Sequence, residues 1–242
     1  MIDNHSAKKL VMDHVSHGYG ELAVLQNLNL EVSPGEFVVL VGPSGCGKST
    51  LLNLLSGYIK PLSGLVHREG LIRTVYQQDS LFPWLTVAEN ISMGLIQNKN
   101  TAAREQELRK LFELIHLVDF KDHYPHQLSG GMRQRVELAR VLAGDSDILL
   151  MDEPFSALDY QARLRMRREL IRLLKERPRT VVFVTHDIEE AAQLADRVLV
   201  LSNRPASVCR ELKINSPRPR DPADEEVVQA MKVILSELGL QA

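Results

Sequence analysis

The nine residues GPSGCGKST at positions 42–50 constrain this chain more than any other stretch. They follow the continuous apolar run Phe37–Val41, which reads as a strand buried on both faces. They precede residues 49–55, which read as a helix start. Gly42, Gly47, Lys48 and Ser49 carry the G-x-x-x-x-G-K-[ST] spacing in the strand–turn–helix context that this motif needs. The chemistry explains the composition. Small residues across Gly42, Pro43, Ser44, Gly45, Cys46 and Gly47 let successive backbone N–H groups converge on a polyphosphate. The helix opening at Lys48, Ser49 and Thr50 adds the positive end of its dipole. Lys48 is expected to reach the β- and γ-phosphates and the Ser49 hydroxyl to ligate Mg²⁺.

The rest of the chain reads as alternating β and α elements, which predicts a mainly parallel sheet covered on both faces. Leu28, Leu30 and Val32 alternate with polar residues in an N-terminal β portion, and Ser33, Pro34 and Gly35 mark a turn. Residues 87–143 read as a helical insert, with one helix over 103–117 and another after Ser129. Strands return at 147–151, 180–185 and 197–201. The expected organisation is an α/β core over 1–86 and 144–215, a helical subdomain over 87–143 and a short helical tail over 216–242. In the tail, Val227, Val228, Met231, Ile234, Leu235 and Leu238 fall on one helical face. A chain of 242 residues with two cysteines and formal net charge −2 needs no disulfide framework and carries no global nucleic-acid signal. No apolar run approaches the roughly 20 residues that span a bilayer, and no signal-peptide pattern opens the chain. Any membrane role is therefore expected to run through a partner.

Two further sites complement the phosphate cradle. The apolar run 148–151 delivers Asp152 and Glu153 to the carboxyl edge of the sheet, where ligands of open α/β sheets bind. Asp152 suits a Mg²⁺ site. Glu153 suits a base that deprotonates an attacking water. Leu128, Ser129, Gly130 and Gly131 open a helix and form a second anion-binding N-terminus. One nucleotide does not need two such cradles on one chain.

Taken in order along residues 10–205, these pieces resemble an ATP-binding cassette (ABC) ATPase, the nucleotide-binding subunit of ABC transporters. Tyr19 matches that family's adenine-stacking aromatic, 42–50 its phosphate loop and Gln77 its glutamine loop. The segment 128–134 matches the signature, Asp152 with Glu153 the acidic Mg²⁺ site, Ser156 to Asp159 the SALD-type loop, and His186 the switch histidine. Met132 stands where many members have glutamine. The resemblance implies two copies clamping two ATP molecules head to tail, so that Ser129, Gly130 and Gly131 of one copy meet the γ-phosphate held by Lys48 of the other, with Asp159 at the same interface. It also implies that Gln77 lies near Mg²⁺ and the γ-phosphate. A narrower likeness, in LFPWLTVAENI and VVFVTHDIEEAAQLADRVLVLSNRP, is to importers of nitrate, sulfonates and taurine. That likeness implies permease subunits, an extracytoplasmic solute-binding protein and a peripheral position on the cytoplasmic face of the membrane. A soluble, non-transporting ABC ATPase is the runner-up. A small-molecule kinase is third, because it leaves Ser129 and Asp159 without a purpose.

Three expectations concern single features. Phe82 and Trp84 are read as a docking surface rather than core. The run Arg163, Arg165, Arg167, Arg168, Arg172, Lys175, Arg177 and Arg179 is read as a solvated helix face. Cys46, beside a helix N-terminus and Lys48, is read as a reactive thiolate that nucleotide shields.

Overall fold

The computed structural model describes residues 8–76, 80–96 and 100–240. Gln77 lies outside these described residues. The central sheet has six strands in the order β5-β6-β7-β3-β8-β9: β3 Phe37–Val41, β5 Ile72–Val75, β6 Ile148–Asp152, β7 Thr180–Val184, β8 Arg197–Leu201 and β9 Val208–Lys213. All neighbours pair in parallel except β9, which runs antiparallel to β8. A second sheet is antiparallel, with β1 Leu10–Tyr19 between β2 Leu22–Val32 and β4 Ser63–Arg68. The parallel core and the antiparallel N-terminal portion agree with the expected fold class. The antiparallel edge strand β9 goes beyond it.

Side-chain alternation divides the central strands between two cores. Val39, Val41, Leu149, Met151, Val181 and Phe183 face one cluster, together with the helices of residues 87–143. Val38, Leu40, Ile148, Leu150, Val182 and Val184 face the other, together with the antiparallel sheet. Period-two geometry with apolar residues at every position leaves the strands no solvent face. The helix α1, Lys48–Ser56, packs Leu51, Leu52, Leu54 and Leu55 into the second cluster and ends on Gly57 in the left-handed conformation.

Helices α2 (Val87–Gly94), α3 (Thr101–Ile115) and α4 (Gly130–Ala143) form the helical segment. Thr86 and Glu89 make a reciprocal capping box on α2. Asn90, fully buried, accepts from the Phe82 amide at 2.8 Å and donates to the carbonyls of Phe82, Leu85 and Thr86 at 3.0–3.1 Å. The loop so held leaves Trp84 70% exposed, with Phe82 half-buried beneath it at 5.6 Å between ring centroids. Trp84 is therefore not core.

The basic run departs from expectation. It lies on α5, Tyr160–Glu176, and the segment after it. Arg167 is buried and meets Glu189 at 3.4 Å, and Arg163 meets Asp187 at 3.1 Å. Residues four apart share one helical face, and this face is turned onto α6, Ile188–Leu194. Arg179 is buried as well. Only the remaining cations are solvated. The tail helix α7, Glu225–Glu237, buries Val227, Ala230 and Ile234 in the first core, as the apolar face predicts.

Gly94 of α2 packs directly against α4. A Cβ there would overlap the Arg140 carbonyl and lie 2.8 Å from the Ala143 Cβ. Gly94→Ala is expected to destabilise the protein by about 1–3 kcal/mol through overpacking. Urea unfolding with an unchanged m-value checks this, and an unchanged midpoint would mean the helices part freely.

Candidate functional site

The loop 42–50 leaves the carboxyl end of β3 and enters α1 through Gly47, whose φ of 118° lies in the region that favours glycine. A Cβ at Gly47 would also meet Val24 Cγ1 at 2.7 Å, so the position excludes side chains twice over. The Cys46 amide donates to the Pro43 carbonyl at 3.2 Å, closing the turn. Lys48 is buried, and its Nζ donates to the carbonyls of Gly42 and Pro43 at 2.8 and 2.9 Å.

A cavity of about 480 Å³ opens over this loop. Gly42, Ser44, Gly45, Gly47, Lys48, Ser49 and Thr50 line it from one side, and Asp152, Glu153 and His186 from the sheet edge. Tyr19, at the end of β1 and 53% exposed, lines its mouth beside Leu22 and Val24. Of the residues that the sequence singles out, these come together in one chain. Ser129, Gly130, Gly131 and Asp159 do not line this cavity. Ser129 caps α4, accepting from the Met132 amide at 3.3 Å, and a Cβ on Gly131 would touch the Ala157 carbonyl at 3.0 Å. Asp159 caps α5 by accepting from the Ala162 amide at 2.9 Å. The second cradle thus opens next to the 156–159 loop, with Met132 packed against the core rather than facing outward.

Asp152 ends β6 beside Val184 of β7 and hydrogen-bonds Ser49. Burial pushes its carboxyl above the usual aspartate range; the Ser49 hydrogen bond and Lys48 oppose this, and Glu153 adds to it. A hydroxyl and a carboxylate side by side are hard oxygen donors, the set that Mg²⁺ takes. No cluster of three His, Cys, Asp or Glu residues fit for a metal exists among the described residues. Glu153 adopts φ 47°, unusual for a residue other than glycine. Its carboxylate lies 3.2 Å from His186 Nδ1.

Three residues enter the site to which the sequence assigned no individual role. Arg204 lines the cavity, with its Nη2 3.9 Å from where a Cβ on Gly45 would stand. Gln134, buried, donates to the Glu153 carbonyl at 3.1 Å and accepts from the Ala157 amide at 3.0 Å, bracing the strained turn from α4. Thr185 donates to buried Glu190 at 2.7 Å and accepts from the Asp187 amide at 3.0 Å, fixing the backbone around His186. Gln134 sits inside the 128–134 stretch and was legible as part of it; Arg204 and Thr185 have no spacing that marks them.

Cys46 is the correction. Its side chain is 2% exposed and belongs to the second core, so the thiol points away from the cavity and only its backbone faces the loop. Burial keeps reagents from reaching the thiol. A maleimide is expected to modify exposed Cys209 in the folded protein and to reach Cys46 only on unfolding, as peptide mapping will show. Rapid labelling of Cys46 without denaturant would contradict the packing.

Asp152 gives a second test. A carboxylate whose folded-state pKa is raised weakens the native state as pH rises through that pKa. Asp152→Asn removes this loss. The variant is expected to be more stable than the wild type near pH 7. The gain should fade as pH falls through the raised pKa of Asp152 toward the ordinary aspartate value. Thermal or urea unfolding across pH measures this; a pH-independent difference would mean the ionised carboxylate carries no burial cost.

The chain is similar to known proteins over most of its length. A family model described as ABC transporter matches residues 25–156. The chain is 42% identical over 234 residues to an aliphatic sulfonates import ATP-binding protein of Rhodococcus jostii, covering 94% of this chain and 92% of that one. It is 44% identical over 207 residues to a nitrate import ATP-binding protein of Synechocystis, covering 82% and 78%. Among solved structures, a dimeric ATP-binding cassette in a post-hydrolysis state bound to ADP and Pi superposes with a TM-score of 0.77 at 34% identity, over 86% of this chain and all of that one.

Proposed function

The chain belongs to the ABC transporter family of ATPases, and on that premise we propose that it powers import of a small oxyanion of the nitrate, sulfonate or taurine kind. The observation that carries this reading is the single cavity in which the phosphate loop, Asp152, Glu153, His186 and Tyr19 meet at one edge of the sheet. The relatives' names supply the solute class.

In this reading Tyr19 stacks on adenine, and the backbone amides of 42–50 with Lys48 hold the β- and γ-phosphates. Ser49, Asp152 and Gln77 hold Mg²⁺, whose contribution is to neutralise charge on those phosphates. Glu153 accepts a proton from the attacking water. Its left-handed backbone, braced by Gln134 and the Ser156 hydroxyl, aims the carboxylate at the cavity. His186, within ion-pair distance of Glu153, contacts the γ-phosphate. Residues 87–143 act as a helical subdomain that presents Ser129, Gly130 and Gly131 to the nucleotide of a second copy, with Asp159 beside them. That dimer would account for a second cradle that does not line the first cavity. Trp84 and Phe82 dock a membrane-spanning permease at the cytoplasmic face, and an extracytoplasmic solute-binding protein delivers the solute. No helix among the described residues is long and apolar enough to cross a membrane, so translocation falls to other subunits.

Glu153→Gln separates binding from chemistry. The variant is expected to bind MgATP and accumulate as an ATP-bound dimer, while phosphate release falls 10²- to 10⁴-fold, the usual worth of a general base. In the native cell it should stop solute uptake with permease levels unchanged. Turnover near wild type would remove Glu153 from the mechanism, and undisturbed nitrate and sulfonate uptake would refute the importer reading.

A further inference from the structure

A second cleft lies at the other edge of the central sheet. Phe37 opens β3 and Thr180 opens β7, whereas the phosphate loop and His186 follow their far ends. The two edges are therefore about 16 Å apart, the length of a five-residue strand. At the far edge the Gly35 turn, the second half of α5, residues 178–179 and the tail enclose about 620 Å³. That volume falls within the range of small-molecule sites. The tail wall is fixed in place. Arg220, buried, donates to the carbonyls of Ala195, Gln193, Ile214 and Ser216 at 2.6–3.1 Å.

The lining combines apolar surface from Ile171, Leu174 and Pro219 with charge of one sign. Every charged residue in it is a cation. Arg172 is paired with Glu169 at 2.8 Å, and Arg218 with Asp196 at 3.1 Å. Arg168, Lys175 and Arg179 have no carboxylate within ion-pair distance among the described residues. Arg179 is the informative one. It is 9% exposed, its Nη2 donates to the Leu142 carbonyl at 3.3 Å, and its Nη1 has no hydrogen-bond partner among the described residues. Burial lowers its pKa from the usual guanidinium value, with Arg177 adding to the effect and Asp145 opposing it. A buried cation whose nearest carboxylates stand beyond ion-pair distance is costly, and an anion in the adjoining cleft offsets that cost. Inorganic anions leave the apolar surface wet; purely apolar ligands leave the charge unanswered.

We propose that this cleft binds a small amphipathic organic anion, an apolar body of several carbons bearing a sulfonate, sulfate or carboxylate head. The head sits against Arg168, Lys175 and Arg179, and the body covers Ile171, Leu174 and Pro219. The site is separate from the nucleotide cavity and does not depend on which solute is transported.

Calorimetry with 1-octanesulfonate below its micelle concentration tests this on the full chain. One-to-one saturable binding is expected, at least tenfold tighter than inorganic sulfate, with octyltrimethylammonium not binding. Replacing both solvent-facing cations, Arg168→Glu with Lys175→Glu, should weaken octanesulfonate at least tenfold and leave MgATP binding unchanged. Arg179→Met should weaken it too, and if that variant misfolds, the surface pair still decides. Absence of saturable binding below about 1 mM overturns the proposal. Equal binding of the cationic analogue, or indifference to the double charge reversal, overturns it as well. Binding to phosphatidylglycerol vesicles without binding of the free amphiphile also overturns it, because the cations would then serve a bilayer surface rather than a pocket.

Discussion

Strand β3 bears the architecture. It lies between β7 and β8, pairs with both in parallel, and buries all five of its side chains. A strand with no solvent face cannot slip by one residue without exchanging two cores, so its register is fixed. That register fixes where Gly42 leaves the sheet. The same alternation in β6 and β7 brings Asp152 and Val184 level, which sets Glu153 and His186 at the same edge. The site is precise because the hydrophobic division beneath it is rigid.

Above that edge the protein keeps features that weaken folding. Asp152 is buried with a raised pKa, Lys48 is buried against carbonyls, and Glu153 holds a left-handed backbone. Each conflicts with stability, and together they mark a site kept for its chemistry, as strain and shifted titration at functional sites do elsewhere. Gln134 and Thr185 offset part of that conflict by satisfying backbone groups at the two turns.

Much of this was legible in the sequence because it is local. The phosphate loop states its own geometry through its glycines, and the apolar strands 37–41 and 148–151 announce the edge they lead to. The tail helix shows its buried face in Val227 and Ile234. What escaped the sequence is non-local. Arg167 and Arg163 read like any surface cation until residues more than twenty positions away provide Glu189 and Asp187. Cys46 has neighbours that favour a thiolate, yet the loop turns it into the second core. Strand β9 is exposed at most positions and carries no strong alternation, so its antiparallel pairing with β8 emerges only from the sheet.

The Asn90 side chain has a consequence for recognition. Four hydrogen bonds from one buried amide fix residues 82–86 before any partner arrives. Ordering a backbone residue takes roughly 1–2 kcal/mol of conformational entropy, so for five residues the sum is on the order of 5–10 kcal/mol. Folding has already met that cost. A partner that seats on Trp84 therefore gives up rigid-body freedom and side-chain rotamers but no loop entropy. Contact area at this loop can then convert into affinity with little loss to ordering.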